Sequence, residues 1–331
     1  MIGKIIGNTP MIQIFYEYRQ QEQFIYAKLE YYNLTGSIKD RVAYYILTKA
    51  KKEGKLKEGM PIVEATSGNT GISLAALGAY YHHPVHIFMP DWASQERVKL
   101  MESFGANITL ISKEEGGFKK CVAEAKKWEE EQQAFLVNQF ANWDNIMAHY
   151  ETTGEEIVKQ IPTEIGGFVS GIGTGGTLMG TGKKIRKVYD DAKIIAIEPE
   201  SMPLIAKGQI LGPHKIEGIG DDFIPDLVDR NAIDQIYLIS DEDAIQMARK
   251  IAKELGIGVG ISSGANFLGA VLANETSKHP LVTVFVDDNK KYLSTDLTKA
   301  MDLQPHRIAN QIRLLRYEIV PEKPQNEYIK N

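Results

Sequence analysis

A glycine-rich segment, residues 171–177, is the first part of this sequence that could do chemistry. It follows a short apolar run and precedes an amphipathic stretch, so it is predicted to join a strand to a helix. Glycines let backbone N–H groups approach an anion closely, and a helix N-terminus adds unpaired donors and a favourable dipole. The segment therefore predicts a phosphate-binding loop, although a tight turn without a ligand would use the same residues.

The same segment supports a competing interpretation. Gly171, Gly173 and Gly176 match the G-x-G-x-x-G pattern of dinucleotide-binding loops, and Glu198 lies about 20 residues further on, at a predicted strand end. In that pattern an acidic residue at this distance binds a ribose hydroxyl. A nicotinamide-dependent oxidoreductase is therefore a distant alternative.

Two further polar segments are predicted at strand ends. Residues 66–71 open an apolar helix near Ile72, and their hydroxyls, amide and exposed N–H groups make a receptor for a carboxylate, whereas a plain N-cap would use one side chain. Residues 33–41 contain Lys39 just before a helical run. A lone lysine is usually solvated. In open α/β sheets, however, ligands bind where strand ends and helix N-termini converge, so these loops could share a site.

The elements that position these loops follow a regular pattern. Short β-rich runs alternate with amphipathic helices from about residue 60 to about residue 300, which predicts an α/β fold with mostly parallel sheets. One helix is predicted over residues 244–255, with Ser240 and Asp243 as a capping box and Gly256 at its end. Residues 305–331 are predicted to be an appended helix and tail. The predicted strands are residues 61–64, 85–89, 107–111, 135–137, 167–170, 193–197, 236–239 and 281–286.

Composition excludes several functional classes. The chain has 331 residues, 43% of them hydrophobic, and a formal net charge of −5, which predicts two packed lobes and argues against nucleic acid or a membrane as a partner. Cys121 is the only cysteine, so no intrachain disulfide or cysteine-rich zinc site can form, and no histidine spacing predicts a metal. No signal segment or membrane span is predicted. We therefore expect a cytoplasmic protein that acts on a small solute.

Together the motifs resemble the cysteine synthase and cystathionine β-synthase branch of the fold-type II pyridoxal-phosphate enzymes. The resemblance implies a tryptophan synthase β-like fold of two lobes, each a mostly parallel twisted sheet flanked by helices. It implies a larger cofactor-binding lobe from residues 1–40 and 147–304, a smaller mobile substrate-binding lobe from residues 41–146, and the C-terminal segment 305–331. It also implies a homodimer and pyridoxal 5′-phosphate (PLP) as the cofactor. The resemblance is carried by residues 6–10, 33–41, 66–71, 139–140, 171–177, 218–220, 223–225, 260–264 and 292–295.

The resemblance implies a role for each matching residue. Lys39 would form a Schiff base with PLP and later move the substrate α-proton, for which a buried lysine of lowered pKa is suited. Asn69 would contact the cofactor 3′-oxygen. Ser262 would face the pyridine nitrogen, or it could instead be the N-cap of the following helix. The phosphate would be held by Gly173, Thr174, Gly175, Gly176 and Thr177. The substrate would be bound by Thr66, Ser67, Gly68, Thr70, Gln139 and Gly220.

The sequence departs from the family in the loop after Gly220. Cysteine synthases tend to have small residues there and cystathionine β-synthases have tyrosine then aspartate, whereas this chain has Asp221 and Asp222. The family places this loop beside the reactive β-carbon, so we hypothesise that Asp221, or alternatively Asp222, is a general base for the incoming nucleophile. A solvated loop carboxylate is the competing interpretation. Leu34 in place of a proline, and the turn at residues 288–290, are predicted to alter loops rather than chemistry.

These features predict PLP-dependent replacement or elimination at the β-carbon of cysteine, serine or O-acetylserine through an aminoacrylate intermediate, by a lyase or transferase. A carboxylate at Asp221 would disfavour anionic hydrosulfide yet assist water or a neutral thiol, which favours sulfide-releasing conversion of cysteine. O-acetylserine-dependent cysteine synthase and cystathionine β-synthase are the alternatives. A non-catalytic binding protein would be expected to lack a cofactor contact, yet Lys39, Asn69 and Ser262 are all present.

Overall fold

The computed structural model describes residues 2–299 and 306–321. Within these ranges the strands form two sheets, one of seven strands and one of four. None of the described helices is both long and apolar enough to cross a membrane. The strands are β1 Met11–Tyr18, β2 Gln21–Leu29, β3 Ile62–Ala65, β4 Val85–Pro90, β5 Asn107–Ile111, β6 Phe135–Leu136, β7 Gly167–Gly171, β8 Lys193–Pro199, β9 Gln235–Ile239, β10 Leu281–Phe285 and β11 Ile312–Ile319.

Helices separate most of these strands, as expected for parallel pairing. A π-helical turn, His149–Thr153, joins two of the helices, and 3-10 turns lie at Ile2–Ile5, Glu30–Tyr32, Arg230–Ala232 and Asn289–Tyr292. The α-helices are α1 Lys39–Lys52, α2 Asn69–Tyr81, α3 Gln95–Ser103, α4 Gly117–Gln132, α5 Trp143–Ala148, α6 Gly154–Gln160, α7 Gly176–Val188, α8 Leu204–Lys207, α9 Asp241–Leu255, α10 Ile261–Asn274 and α11 Ile308–Gln311.

Both sheets are parallel where the loops of interest leave them. The larger sheet has the order β11-β1-β2-β10-β7-β8-β9, in which β1 pairs antiparallel with β2 and β11 while the other pairs are parallel. The smaller sheet has the order β5-β4-β3-β6 and is parallel throughout. Its strands lie within the predicted smaller lobe.

Apolar residues cover both faces of each sheet. Along β8, Ile195 and Ile197 pack into one buried cluster, whereas Ile194 and Ala196 pack into another on the opposite face. Burial on both faces is typical of parallel sheets, whose crossover helices lie on either side. The polar loop residues at the strand ends are therefore held by sheets whose central strands are buried on both faces.

The predicted strands are all present, with ends that differ by at most two residues. Helix α9 begins after Ser240, whose Oγ accepts a hydrogen bond from the Asp243 backbone N–H (3.2 Å), and it ends at left-handed Gly256, as predicted. The hairpin β1–β2 was not predicted. The predicted C-terminal helix is wrong over most of its described part, since only α11 is helical and β11 continues as a strand paired with β1. The remainder of that segment, and residues 300–305, lie outside the described residues.

Candidate active site

A cavity of about 960 Å³ is lined by loops that follow strands of both sheets, including β3, β4, β7 and β10. Ligand sites at the carboxyl ends of parallel strands are expected for this architecture. Of the predicted site residues, only Gly176 does not line the cavity. The others are Lys39, Thr66, Ser67, Gly68, Asn69, Thr70, Gln139, Gly173, Thr174, Gly175, Thr177, Gly220, Asp221, Asp222 and Ser262.

Lys39 is the first residue of α1, and its side chain lines the cavity. The preceding Ile38 donates its backbone N–H to the carbonyl of Val286 (3.0 Å), which ties the lysine segment to the end of β10. Burial lowers the pKa of Lys39 to about 8, although the charges of Asp221 and Asp287 oppose this shift. An amine with this pKa is unprotonated near neutral pH far more often than a solvated lysine, so it can act as a nucleophile.

The glycine loop between β7 and α7 brings backbone close to backbone. A Cβ atom at Gly173 would collide with the carbonyl oxygen of Gly218, and Gly175 has a φ of +87°, which side chains disfavour. The buried Thr177 hydroxyl lies 3.2 Å from Nε2 of His149, which fixes its position in the first turn of α7. The first N–H groups of a helix have no partner within it, so this loop can hold an anion.

The loop before α2 and the loop after β6 form one hydrogen-bonded unit. The Thr70 hydroxyl donates to Oε1 of Gln139 (2.7 Å), whose Nε2 donates to the carbonyl of Ala65 (3.0 Å). The buried carboxylate of Glu64 accepts from the backbone N–H groups of Ala65 (2.8 Å) and Gln139 (3.0 Å). Burial raises the pKa of Glu64 to about 7. Glu64, which sequence reasoning missed, thus holds together the two loops predicted to bind the substrate carboxylate.

Asn69 and Ser262 approach the cavity from different helices. Asn69 begins α2, and its amide lies between the carboxylate of Asp287 and the amine of Lys291. Ser262 is 2% exposed and lies inside α10, whose N-cap is Gly260 and uses no side chain. The interpretation of Ser262 as an N-cap is therefore wrong, and its hydroxyl remains a candidate partner for a ring nitrogen.

The two neighbouring aspartates after Gly220 face different surroundings. Burial, and then the charge of Asp222, raises the pKa of Asp221 to about 6, while Lys39 acts in the opposite direction. The carboxylate of Asp222 is exposed and pairs with Lys119 of α4 (3.2 Å). Nε2 of His214 donates to the carbonyl that precedes Asp221 (2.7 Å), which fixes this loop. Asp221 is therefore the better placed of the two to take up a proton inside the cavity.

Arg97, which lines the cavity, and Asp287, which binds the amide of Asn69, are charged residues that were not found from the sequence. Arg97 is 2% exposed, pairs with Glu217, and stacks its guanidinium 4.6 Å from the centroid of the Tyr292 ring. No local pattern marks Arg97, because its role depends on partners from the other sheet. Asp287 directly follows a predicted strand, so the same strand-end signal that revealed the other loops could have found it.

Glu198, which a dinucleotide site would need to bind a ribose hydroxyl, already binds backbone N–H groups of this chain. Its two carboxylate oxygens accept hydrogen bonds from the backbone N–H groups of Ile205 (2.7 Å) and Ala206 (2.9 Å) at the start of α8. A carboxylate used in this way caps a helix and has no oxygen directed at a ribose. The nicotinamide alternative therefore loses the acidic residue that it needs to bind a ribose.

Residues 2–287 match the family model of the pyridoxal-phosphate dependent enzymes. The chain belongs to this family. This PLP enzyme is 42% identical to a cysteine synthase of Staphylococcus aureus over 299 residues, which cover 89% of this chain and 96% of that protein.

Solved structures resemble the PLP enzyme closely. A hydrogen sulfide-producing enzyme from Fusobacterium nucleatum is 48% identical, with a TM-score of 0.91 over 95% of this chain and 96% of that chain. An aspartate-to-asparagine mutant of that enzyme, in complex with an α-aminoacrylate intermediate, has a TM-score of 0.92 with the same identity and coverage. The chain is accordingly a cysteine synthase-like PLP enzyme of β-replacement or β-elimination chemistry.

The residues present fit the cofactor of this PLP enzyme. The site contains a buried amine of lowered pKa at Lys39 and a glycine loop in which a Cβ at Gly173 could not be accommodated. The amide of Asn69 and the uncharged hydroxyl of Ser262 line the same cavity. These groups suit an aldehyde, a phosphate, a ring oxygen and a ring nitrogen respectively. The individual roles of these residues remain predictions.

Proposed function

We propose that this PLP enzyme converts L-cysteine and water into L-serine and hydrogen sulfide. The carbon–sulfur bond at the β-carbon breaks, the sulfur leaves as hydrogen sulfide, and the oxygen of water bonds to the same carbon. The observation that carries the proposal is the position of Asp221, a carboxylate with a pKa raised to about 6 that lines the cavity together with Lys39. Such a group can accept a proton from water near neutral pH.

Different residues of the chain bind the substrate and transfer the protons in this reaction. The substrate carboxylate is bound by Thr66, Ser67, Thr70 and Gln139. When it binds, the hydrogen bond between Thr70 and Gln139 is replaced by hydrogen bonds to the carboxylate. PLP, when bound, withdraws electrons from the substrate and so allows the α-proton and the β-substituent to leave. Lys39 takes the α-proton and later returns it. Asp221 takes a proton from water as the new carbon–oxygen bond forms, which makes the water a stronger nucleophile. Release of this proton balances the hydrosulfide that left the substrate and gives hydrogen sulfide.

The second candidate is synthesis of cysteine from an activated serine and sulfide. The identity with the Staphylococcus aureus cysteine synthase favours it. The electrostatics of the loop oppose it, because hydrosulfide is an anion and would approach two carboxylates, of which only Asp222 is paired with a lysine. We further propose that the enzyme is a homodimer with the lobe boundaries given above, as the resemblance implies. We also propose that it is cytoplasmic, because a single cysteine suits a reducing compartment.

Replacement of Asp221 by asparagine tests the proposal. With cysteine as the only substrate, we expect the wild type to release sulfide and serine in equal amounts, and D221N to lose about 10²- to 10⁴-fold in serine formation. D226N, which alters an exposed carboxylate of the same loop region, is the matched control. Unchanged serine formation in D221N would refute the role of Asp221, and loss in D222N instead would assign it to Asp222. Pyruvate in place of serine would show elimination, and rapid cysteine formation from O-acetylserine and sulfide alone would favour synthesis.

A further inference from the structure

The side-chain amide of Asn69 is held from two sides. Its Nδ2 donates to Oδ2 of Asp287 (2.7 Å), and its Oδ1 accepts from Nζ of Lys291 (3.1 Å). An ammonium group has no lone pair and an ionised carboxylate has no proton. The oxygen of the amide must therefore face Lys291 and the nitrogen must face Asp287. This fixes the orientation of an amide that is otherwise assigned only from its partners.

One N–H of the Asn69 amide is used by neither Asp287 nor Lys291. The amide nitrogen carries two hydrogens, and Asp287 uses one of them. Because Asn69 lines the cavity, the second hydrogen is available to an acceptor there. If the amide rotated by half a turn, its oxygen would point at the carboxylate, and the donor would be lost.

Lys291 is an unusual residue to find at this place. It is 3% exposed, and its amine also donates to the carbonyl of Gly36 (2.9 Å), three residues before Lys39. Burying an ammonium costs several kcal/mol unless partners compensate for the lost water. Burial lowers the pKa of the Lys291 amine, and the charges of Asp287, Asp40 and Asp288 oppose this shift and so supply part of that compensation. The amine thus bridges the segment that carries Lys39 and the helix that begins at Asn69.

We infer that Lys291 is a positioning residue for the cofactor ring, because it holds Oδ1 of Asn69 and so presents the amide N–H to the 3′-oxygen of PLP. The inference rests on the assignment of Asn69 to that oxygen. Lys291 touches neither substrate nor cofactor in this scheme and acts through Asn69. A donor at the 3′-oxygen stabilises its deprotonated form, which absorbs visible light at the longer wavelength.

The first test is the absorption spectrum of the PLP-loaded K291M variant, which removes both hydrogen bonds while keeping a long side chain. We expect absorbance to move from the longer-wavelength band to the shorter one, and cofactor affinity in equilibrium dialysis to fall about tenfold, the effect of one hydrogen bond of about 1.4 kcal/mol.

K290M is the matched control, since it removes the same charge from an adjacent side chain that is 82% exposed. K291R retains a donor and should restore the wild-type spectrum. A K291M protein with a lower melting temperature but an unchanged spectrum would overturn the inference, because a purely structural role predicts that result.

A double-mutant cycle with N69A separates the two assignments. If Lys291 acts through Asn69, N69A alone should shift the spectrum, and K291M should add no further shift in the N69A background. A spectrum unchanged in N69A would refute the role of Asn69 and the inference with it. A shift in N69A but not in K291M would refute Lys291 alone. Should K291M not fold, K291L, which likewise lacks a donor, replaces it, and its spectrum decides in the same way. None of these outcomes depends on whether water is the nucleophile, so they are independent of the proposed reaction.

Discussion

Asp221 and Asp222 are adjacent in the chain but are not equivalent as bases. Asp221 lines the cavity with a pKa raised to about 6, whereas the Asp222 side chain is 42% exposed and paired with Lys119. A solvated aspartate has a pKa near 4 and holds a proton weakly. A carboxylate with a pKa nearer the working pH is the stronger base and is still largely ionised. The environment, rather than the residue type, distinguishes the two.

The pH dependence of the reaction should report this difference. Only ionised Asp221 can accept a proton from water, so kcat for serine formation from cysteine is expected to rise with pH through about 6 and then level off. Asp222 raises the pKa of its neighbour, so in D222N the rise should move to lower pH. The measurement is the rate of serine formation at saturating cysteine across this range. A rise with the same midpoint in D221N would assign the titration to another group.

At the residue scale, the sequence revealed groups that belong to local motifs and missed those defined by distant partners. Lys39, Asn69 and the glycine loop were predicted because each motif is contiguous. No role was predicted for Lys291, since its contact with Asn69 joins it to a residue 222 positions away. Burial and charge compensation of this kind depend on the folded chain and leave no local signature.

At the scale of elements, α1 is anchored by a cluster of buried charges near its first turn. Arg41 binds the carboxylates of Glu30 (2.7 Å) and Glu156 (2.6 Å), and Glu156 also binds Lys28 (2.8 Å). The cluster therefore joins β2, α1 and α6 two residues beyond Lys39. Removing one member of a buried ion pair leaves an uncompensated charge, which costs more than the pair contributes. The helix that presents Lys39 should depend on the whole set.

Glu156→Gln is expected to lower the free energy of unfolding by about 3 to 5 kcal/mol, because Arg41 and Lys28 would share one remaining carboxylate. Burial alone would raise the pKa of Glu156, but Arg41 and Lys28 hold it at about 2. A lowered pKa stabilises the fold above the unfolded value of about 4.3, and this contribution is lost as pH falls towards 2. Urea unfolding at neutral and acidic pH measures both effects. Glu155→Gln, a neighbour in partly exposed ion pairs, is the control and should change stability by less than about 1 kcal/mol.

The elements that the sequence predicted well carry their own start and stop signals. Helix α9 has Ser240 before it and Gly256 after it, and both are local. The β1–β2 hairpin turns through Arg19 and Gln20, which both have positive φ, 51° and 64°, a conformation for which glycine, asparagine or aspartate is the usual signal. Because neither residue is one of these types, the sequence gives no signal for the turn. Strand β11 was missed because its partner, β1, lies at the other end of the chain.

At the scale of the whole molecule, the smaller sheet and the loop that carries Asp221 meet at an aromatic cluster. The rings of Phe118 and Phe223 stack with their centroids 6.4 Å apart, and Phe140 lies edge-on to both, at 5.7 Å and 5.0 Å. Phe118 lies in the first turn of α4 beside the smaller sheet, and Phe223 follows Asp222 in the loop of the larger one. The ion pair of Lys119 with Asp222 joins the same two segments. The position of the proposed base thus depends on contact between the two halves of the molecule.

Phe118→Ala should loosen this contact without touching Asp221. Aromatic pairs contribute about 0.5 to 1.5 kcal/mol each, so the loss of two pairs should destabilise the protein by roughly 1 to 3 kcal/mol. Because the loop would then hold the Asp221 carboxylate less firmly, loss of the aminoacrylate intermediate before water adds should increase, and the ratio of pyruvate to serine formed from cysteine should rise severalfold. Both products can be quantified in one reaction by enzymatic assay and amino-acid analysis. Phe104→Ala removes a partly exposed ring at the end of α3 and serves as the control. A destabilised F118A protein that keeps the wild-type ratio would show that the cluster stabilises the fold but does not position the base.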